Sequence, residues 1–214
     1  MFVELSHPIE DGMAAYPGFP DARVEAILTH EESRERYEGK AEFYLGRVEL
    51  AGNTGTYLDA PFHRFPDRED LATLPLERIA DLPGIVVDAP TRPGPVAVAA
   101  GSMHGRAVLI RTGWDAHWGT DAYYEPGPFL AHDAIDALLD GGAALVGVDF
   151  ANVDDTTDPS RPAHTRLLDA GVPIVEHLTG LDQLFTEGFR FFATPPPLVR
   201  GASFPVRAFA IVPD

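Results

Sequence analysis

Short apolar runs alternate with Gly- and Pro-rich breaks along this chain. Eight runs have the length and composition of strands: Arg23 to Thr29, Phe43 to Leu50, Ile85 to Asp88, Ala107 to Arg111, Ala143 to Asp149, Val172 to Glu176, Phe189 to Phe192 and Ala208 to Val212. Helical periodicity is rarer. It is clearest after His132, where Asp133 is placed to cap the N-terminus, Ile135, Leu138 and Leu139 share a face, and Gly141-Gly142 ends the run. A second short helix is expected from Pro162 to about Ala170, opened by proline and stopped by Gly171. Each helix leads straight into an apolar strand, and two such units in series predict an α/β fold in which strands outnumber helices. Pro90, Pro93, Pro95 and the run Pro195-Pro196-Pro197 mark surface turns. No internal repeat, low-complexity tract or heptad pattern interrupts the chain, so residues 1–214 read as a single domain.

At 214 residues and 45% apolar content, the chain can bury one substantial core. Its 33 acids against 16 Lys and Arg give a formal charge of −17, which repels phosphate backbones and anionic headgroups and keeps the protein soluble. No nucleic-acid or membrane partner is therefore expected. The absence of cysteine excludes thiolate catalysis and disulfides, and leaves His, Asp and Glu as metal ligands. The opening Met1-Phe2-Val3-Glu4 lacks the basic and apolar regions of a signal peptide, and no apolar run could span a bilayer, so a cytoplasmic protein is expected. There is no G-x-S-x-G elbow, H-E-x-x-H, P-loop or dinucleotide-binding glycine pattern.

Polar chemistry concentrates where strands end. Directly after Leu50 comes Gly52-Asn53-Thr54-Gly55-Thr56-Tyr57-Leu58-Asp59-Ala60-Pro61-Phe62-His63, in which the glycines permit tight backbone paths and Asp59 and His63 project four residues apart from a constrained loop. An Asp that accepts from one imidazole nitrogen fixes the tautomer and raises basicity, as a general base near neutral pH requires. Alone, the pattern more often describes a structural turn than a catalytic pair. A second cluster runs from Asp149 through Asn152, Asp154 and Asp155 to His164, and then to Glu176-His177. Glu176 interrupts an apolar strand, where burial is costly unless a cation or a proton offsets its charge; otherwise it sits exposed at the strand end. His164 alone is an ordinary helix histidine, and His177 is expected on the opposite strand face from Glu176.

Residues Asn53 to His63 resemble the H-x-G-T-H-x-D-x-P-x-H signature of the cyclase superfamily, which includes kynurenine formamidase and isatin hydrolase. The likeness extends through Leu5-Ser6-His7-Pro8, Leu109 to Trp114, Gly147-Val148-Asp149, His164, Leu167-Leu168, Gly171, Ile174 to Glu176, Leu178, Leu181 and Pro205 to Ala208. It thus covers essentially the whole chain. The resemblance implies a swivelling β/β/α cyclase-like fold with a mixed sheet and a few flanking helices, a homodimer or homotetramer, and hydrolysis of an amide-like bond in a small-molecule substrate. It further implies metal binding at the two signature histidines and the Asp, a second position at the later His and Glu, and acid–base work by the last signature His. By position these fall on Asn53, Tyr57 and Asp59, on His164 and Glu176, and on His63. His7 follows from the opening motif as a substrate contact, and Tyr16, Phe19 and Phe43 are candidates to pack against an aromatic substrate, aromatic residues otherwise belonging to the core.

Both positions expected to be imidazole are instead Asn53 and Tyr57. Neutral amides bind borderline metals poorly, and a phenol coordinates well only after losing a proton of pKa about 10. The first metal position is therefore expected to be empty. Asp59, His164 and Glu176 can still hold one Zn²⁺ or Mn²⁺ with a position left for water, while His63 relays protons. The alternative is a metal-free cyclase or lyase in which His63, oriented by Asp59, is the base and Tyr57 donates a proton or steadies an oxyanion, with Asn53 beside them. A third reading is a non-catalytic binding module.

Overall fold

The structure, a computed structural model, describes residues 1–214 apart from Ala15, Pro17, Glu125 and Asp214. The strands in chain order are β1 Phe2–Glu4, β2 Arg23–Leu28, β3 Leu45–Glu49, β4 Tyr57–Asp59, β5 Leu82–Asp88, β6 Gly94–Val96 and β7 Ala107–Arg111. They continue with β8 Pro128–Leu130, β9 Leu145–Val148, β10 Ile174–Glu176, β11 Glu187–Phe192, β12 Ser203–Pro205 and β13 Phe209–Ile211. The α-helices are α1 His30–Arg36, α2 His132–Asp140 and α3 Pro162–Asp169.

One nine-stranded sheet runs β1-β13-β11-β5-β7-β9-β10-β4-β12. Its centre, β5 to β10, is parallel, because α2 and α3 return the chain for β9 and β10; both flanks are antiparallel. Strand alternation divides the core. Val108, Ile110, Val146 and Ile174 meet Ile135 and Leu138 of α2 and Leu167 and Leu168 of α3 on one face. On the other face Leu109 and Val175 join Val3 and Phe191 from one end of the sheet and Leu58 and Val206 from the other, so the sheet curls around a single apolar cluster. No helix of the described residues is long and apolar enough to cross a membrane.

The expected strands form, most with ends a residue or two inside or outside their apolar runs. Strands β1, β6, β8 and β12 arise outside the expected runs, and four further details differ. Helix α2 is preceded by Ala131 with no side-chain cap, and Asp133 lies within its first turn, where its charge still favours the helix dipole. Helix α1 was not expected, since it has no apolar stripe; it rests on a capping box in which Thr29 Oγ1 accepts from Glu32 N at 3.3 Å and Glu32 Oε2 accepts from Thr29 N at 2.8 Å. Residues 57–59 form a strand rather than a loop. Finally, β2 and β3 form a separate two-stranded ribbon instead of joining the main sheet.

Asp149, directly after β9, ties the exits of the parallel strands together. It accepts from Thr112 N at 2.8 Å, Thr112 Oγ1 at 2.6 Å and Gly113 N at 2.7 Å. Burial pushes its carboxyl up to about 6 despite these donors. A carboxyl pKa raised on folding stabilises the folded chain below the unfolded value of 3.8, and that contribution is lost as pH rises through about 6. Between pH 4 and 7 the native chain should therefore lose roughly 3 kcal/mol of stability relative to Asp149→Asn. Urea midpoints of both proteins across that range measure the effect, and parallel pH profiles would refute it.

Candidate active site

Strand register assembles the site. β4 lies between β10 and β12, with Glu176 opposite Tyr57 on one side and Ser203 opposite Asp59 on the other. Because side chains alternate, Tyr57, Asp59, Glu176 and Ser203 share one face while Leu58 and Val175 enter the apolar core. Loop 52–56 is held close to β12: a Cβ on Gly52 would lie 2.5 Å from the Ser203 carbonyl oxygen, and Gly55 adopts a left-handed φ of 64°. After Asp59 a single 3₁₀ turn, Pro61–His63, brings His63 back over the strand. Helix α3 crosses the same face and presents His164.

The cavity at this face has a volume of about 250 Å³ and is lined by Tyr16, Phe19, Asn53, Tyr57, His63, Arg64, Asn152, Arg161, His164 and Glu176. Asp59 is fully buried between two of these rings. Its Oδ1 is 3.7 Å from His63 Nδ1 and its Oδ2 is 3.6 Å from His164 Nε2. The expected direct Asp59–His63 hydrogen bond is not formed, because Ser203 stands between them: its hydroxyl donates to Asp59 Oδ1 and lies 3.0 Å from His63 Nδ1.

His164 is surrounded by acids. Its Nδ1 is 2.6 Å from Asp154 Oδ2, and its Nε2 is 3.9 Å from Glu176 Oε1. Asp154 also accepts from the backbone N–H groups of Ala163 at 2.5 Å and His164 at 3.2 Å, fixing the first turn of α3. Burial opposes protonation of His164, but the Asp154 and Asp59 contacts and the nearby Glu176 charge lift its pKa to about 10. Burial raises Glu176 to about 7, with the His164 charge opposing and the Asp59 charge assisting. Burial acts upward on Asp59 too, yet the His63 charge, the His164 contact and the Ser203 hydrogen bond hold it below the usual value.

The Tyr57 hydroxyl donates to Glu176 Oε2, and Val153 N donates to Oε1 at 2.7 Å. Burial, reinforced by Glu176 and Asp59, pushes the Tyr57 phenol well above 10, so it stays protonated at neutral pH and acts as a donor to Glu176.

The spacing of Asp59 and His164 suits a divalent ion, with His63 completing the one close group of ligand atoms among the described residues. Asp59 Oδ2 is buried without a hydrogen-bond partner. Ligand atoms bound at about 2.1 Å around a tetrahedral ion lie about 3.4 Å apart, close to the 3.6 and 3.9 Å that separate His164 Nε2 from Asp59 Oδ2 and Glu176 Oε1. Asp59, His63 and His164 offer ligand atoms all within 4.8 Å of one another. Asp59 and His164 belong to both groupings, and the Asp154–His164 contact is the carboxylate–imidazole pairing that orients metal-bound histidines.

Two candidates lie elsewhere. Phe43 is 56% exposed and packs on Tyr37 at 5.3 Å, because the β2-β3 segment stands apart from the main sheet. His7 does not line the cavity: it stacks on Trp118 at 3.9 Å, and its backbone N–H donates to Thr56 Oγ1 at 3.0 Å behind the signature loop. Burial lowers its pKa to about 4, although Asp115 acts upward. His177 also points away from the cavity, its Nε2 3.1 Å from the Ala151 carbonyl. Ser203, Asp154, Arg64 and Arg161 carry contacts that the sequence reading did not assign. Asp154 stands in the second polar cluster, and its place shortly before a helix that opens with proline was the signal for its role; Ser203, on a three-residue strand, has no comparable signal.

The family model named Cyclase, described as "Putative cyclase", matches residues 3–155. The chain is 33% identical over 215 residues to kynurenine formamidase from Salinibacter ruber, an alignment covering 96% of this chain and 95% of the relative. Isatin hydrolase A from Labrenzia aggregata, bound to benzyl benzoate, superposes with a TM-score of 0.83 at 22% identity, covering 100% of this chain and 94% of the other. A predicted metal-dependent hydrolase from Bacillus stearothermophilus gives 0.70 at 25% identity, covering 98% and 97%.

Tyr57→Phe would remove one of the two donors to the buried Glu176 carboxyl. It is expected to cost about 1–3 kcal/mol of stability, read as a lower denaturant midpoint. An unchanged midpoint would show that the hydroxyl contributes nothing there.

Proposed function

We propose, from the premise that the chain belongs to the Cyclase family, that it is a hydrolase of an amide-like or lactone bond in a small aromatic or cyclic metabolite. The observation that carries this reading is the meeting of His63, His164 and Glu176 at one cavity, with Asp59 buried between the two histidine rings and its Oδ2 without a hydrogen-bond partner. Asp59, His164 and Glu176 would hold one Zn²⁺ or Mn²⁺ ion, which would supply Lewis-acid polarisation of the substrate carbonyl.

The chain's own groups handle the protons. The Ser203 hydroxyl is spent as a donor on Asp59, so it accepts from His63 Nδ1–H and leaves Nε2 as the basic nitrogen. His63 takes a proton from the attacking water and returns it to the leaving nitrogen or oxygen as the carbonyl bond breaks. Asp154 keeps the His164 ring in place, and Tyr16 and Phe19 form an aromatic wall.

A second reading, a metal-independent cyclase or lyase using His63, Asp59 and Tyr57, draws on the replacement of two imidazoles by Asn53 and Tyr57. The two readings part on metal dependence. Protein purified without chelator should carry close to one Zn or Mn per chain, and chelation should abolish hydrolysis of an aryl formamide. His63→Ala should lower kcat by about 10²–10⁴-fold with metal content intact. Full turnover without metal would support the second reading instead.

We also propose that the chain is a homodimer or a homotetramer joined through the β2-β3 ribbon. Ile27, Phe43, Tyr44, Leu45 and Val48 on this segment are between 52% and 60% exposed. A two-stranded ribbon is marginal alone, and an apolar patch of this kind marks an interface. Arg47 is 2.9 Å from Glu49 and 3.5 Å from Glu25, and with Arg23 the two strands balance two cations against two acids, so the ribbon can meet a second copy despite the net −17. Ile27→Asp/Val48→Asp should shift the mass measured by light scattering to that of one chain; a wild-type monomer would refute the assembly.

A further inference from the structure

Two guanidinium groups at the cavity have no part in the proton chemistry. Arg64 follows His63 directly; its Nε donates to Thr165 Oγ1 at 3.1 Å, and its guanidinium carbon lies 5.7 Å from the centre of the Phe65 ring. Arg161 precedes α3 and His164, and its Nη1 donates to Asn152 Oδ1 at 3.3 Å. Its φ of 48° is left-handed, a conformation disfavoured for residues bearing a Cβ and concentrated at functional sites.

Both arginines therefore rest on neutral partners. Neither makes an ion pair within 4.0 Å among the described residues, in a chain where acids outnumber Lys and Arg by 33 to 16. The acids near Arg161 are engaged in their own turns: Asp155 Oδ1 accepts from Thr157 N at 2.9 Å and Asp158 Oδ1 from Ser160 N at 2.8 Å. Asp155 and Asp158 feel the Arg161 charge without closing on it, and a guanidinium, whose planar fork matches a carboxylate, then keeps that fork open to a ligand's.

The cavity pairs this cationic side with the aromatic wall of Tyr16 and Phe19. At about 250 Å³ it lies at the small end for small-molecule sites. We propose that Arg64 and Arg161 form a carboxylate clamp, and that the substrate is a small aromatic amide or lactone bearing an anionic carboxylate. The ring lies against Tyr16 and Phe19, the carboxylate turns to the two arginines, and the scissile carbonyl faces His63. The assignment of a scissile carbonyl rests on the hydrolase reading; the clamp itself does not.

Calorimetry with 2-aminobenzoate and its neutral analogue 2-aminobenzamide tests the clamp on the full chain. The carboxylate is expected to bind about tenfold or more tightly than the amide. Arg161→Gln and Arg64→Gln should each shrink that preference while leaving the affinity for 2-aminobenzamide unchanged, which also certifies folding. Equal affinity for the two probes, no saturable binding of the carboxylate at millimolar concentration, or a preference that survives in Arg64→Gln/Arg161→Gln would overturn it. The last result would mean that the arginines only balance the acidic floor. Hydrolysis of 2-formamidobenzoate against formanilide separates clamp from reaction. Cleavage of both with equal kcat/KM removes the clamp and keeps the reaction; cleavage of neither, with the binding preference intact, removes the reaction and keeps the clamp.

Discussion

The pairing of a three-residue strand decides what this protein can do. β4 has β10 on one side and β12 on the other, and its register sets Tyr57 beside Glu176 and Asp59 beside Ser203 on the same surface. A slip of one residue would turn Leu58 into the cavity and send both polar side chains into the apolar cluster, where burial without partners is prohibitive. The hydrophobic demand for Leu58 and Val175 on the far side thus locks the polar set in place.

That arrangement concentrates negative charge. Asp59, Asp154 and Glu176 are all at most 2% exposed around one imidazole. Folding can accommodate them only by protonation, as with the raised Glu176, by hydrogen bonds, as from Tyr57 and Val153, or by a cation. The aromatic and amide side chains at positions 57 and 53 alter the balance. Tyr57 gives the buried Glu176 carboxyl a permanent donor, one of the two hydrogen bonds that hold it.

Much of this was legible in the residues themselves. The helix-then-strand units around α2 and α3 were apparent from apolar periodicity and from Gly and Pro punctuation. The polar cluster from Asn53 to His63 stood out because it follows a strand directly. Strand β4 escaped detection: with polar groups at both ends and neighbours that come from positions 174–176 and 203–205, its extended form is imposed by tertiary pairing rather than by local preference. The Ser203 bridge was hidden for the same reason, since a serine some 140 residues from its partners carries no local mark. Phe43 lies away from the cavity: an aromatic residue in an apolar run reads as core or site, whereas the connection into β3 that bears it is exposed.

Asp154 serves two structures with one carboxylate, since it closes the opening turn of α3 and grips the ring of His164. The helix therefore cannot fray at that end without also releasing the imidazole. Local breathing of the scaffold and loss of ring alignment become one cooperative event, so hydrogen exchange at the Ala163 and His164 amides would report on the fraction of time the site is assembled.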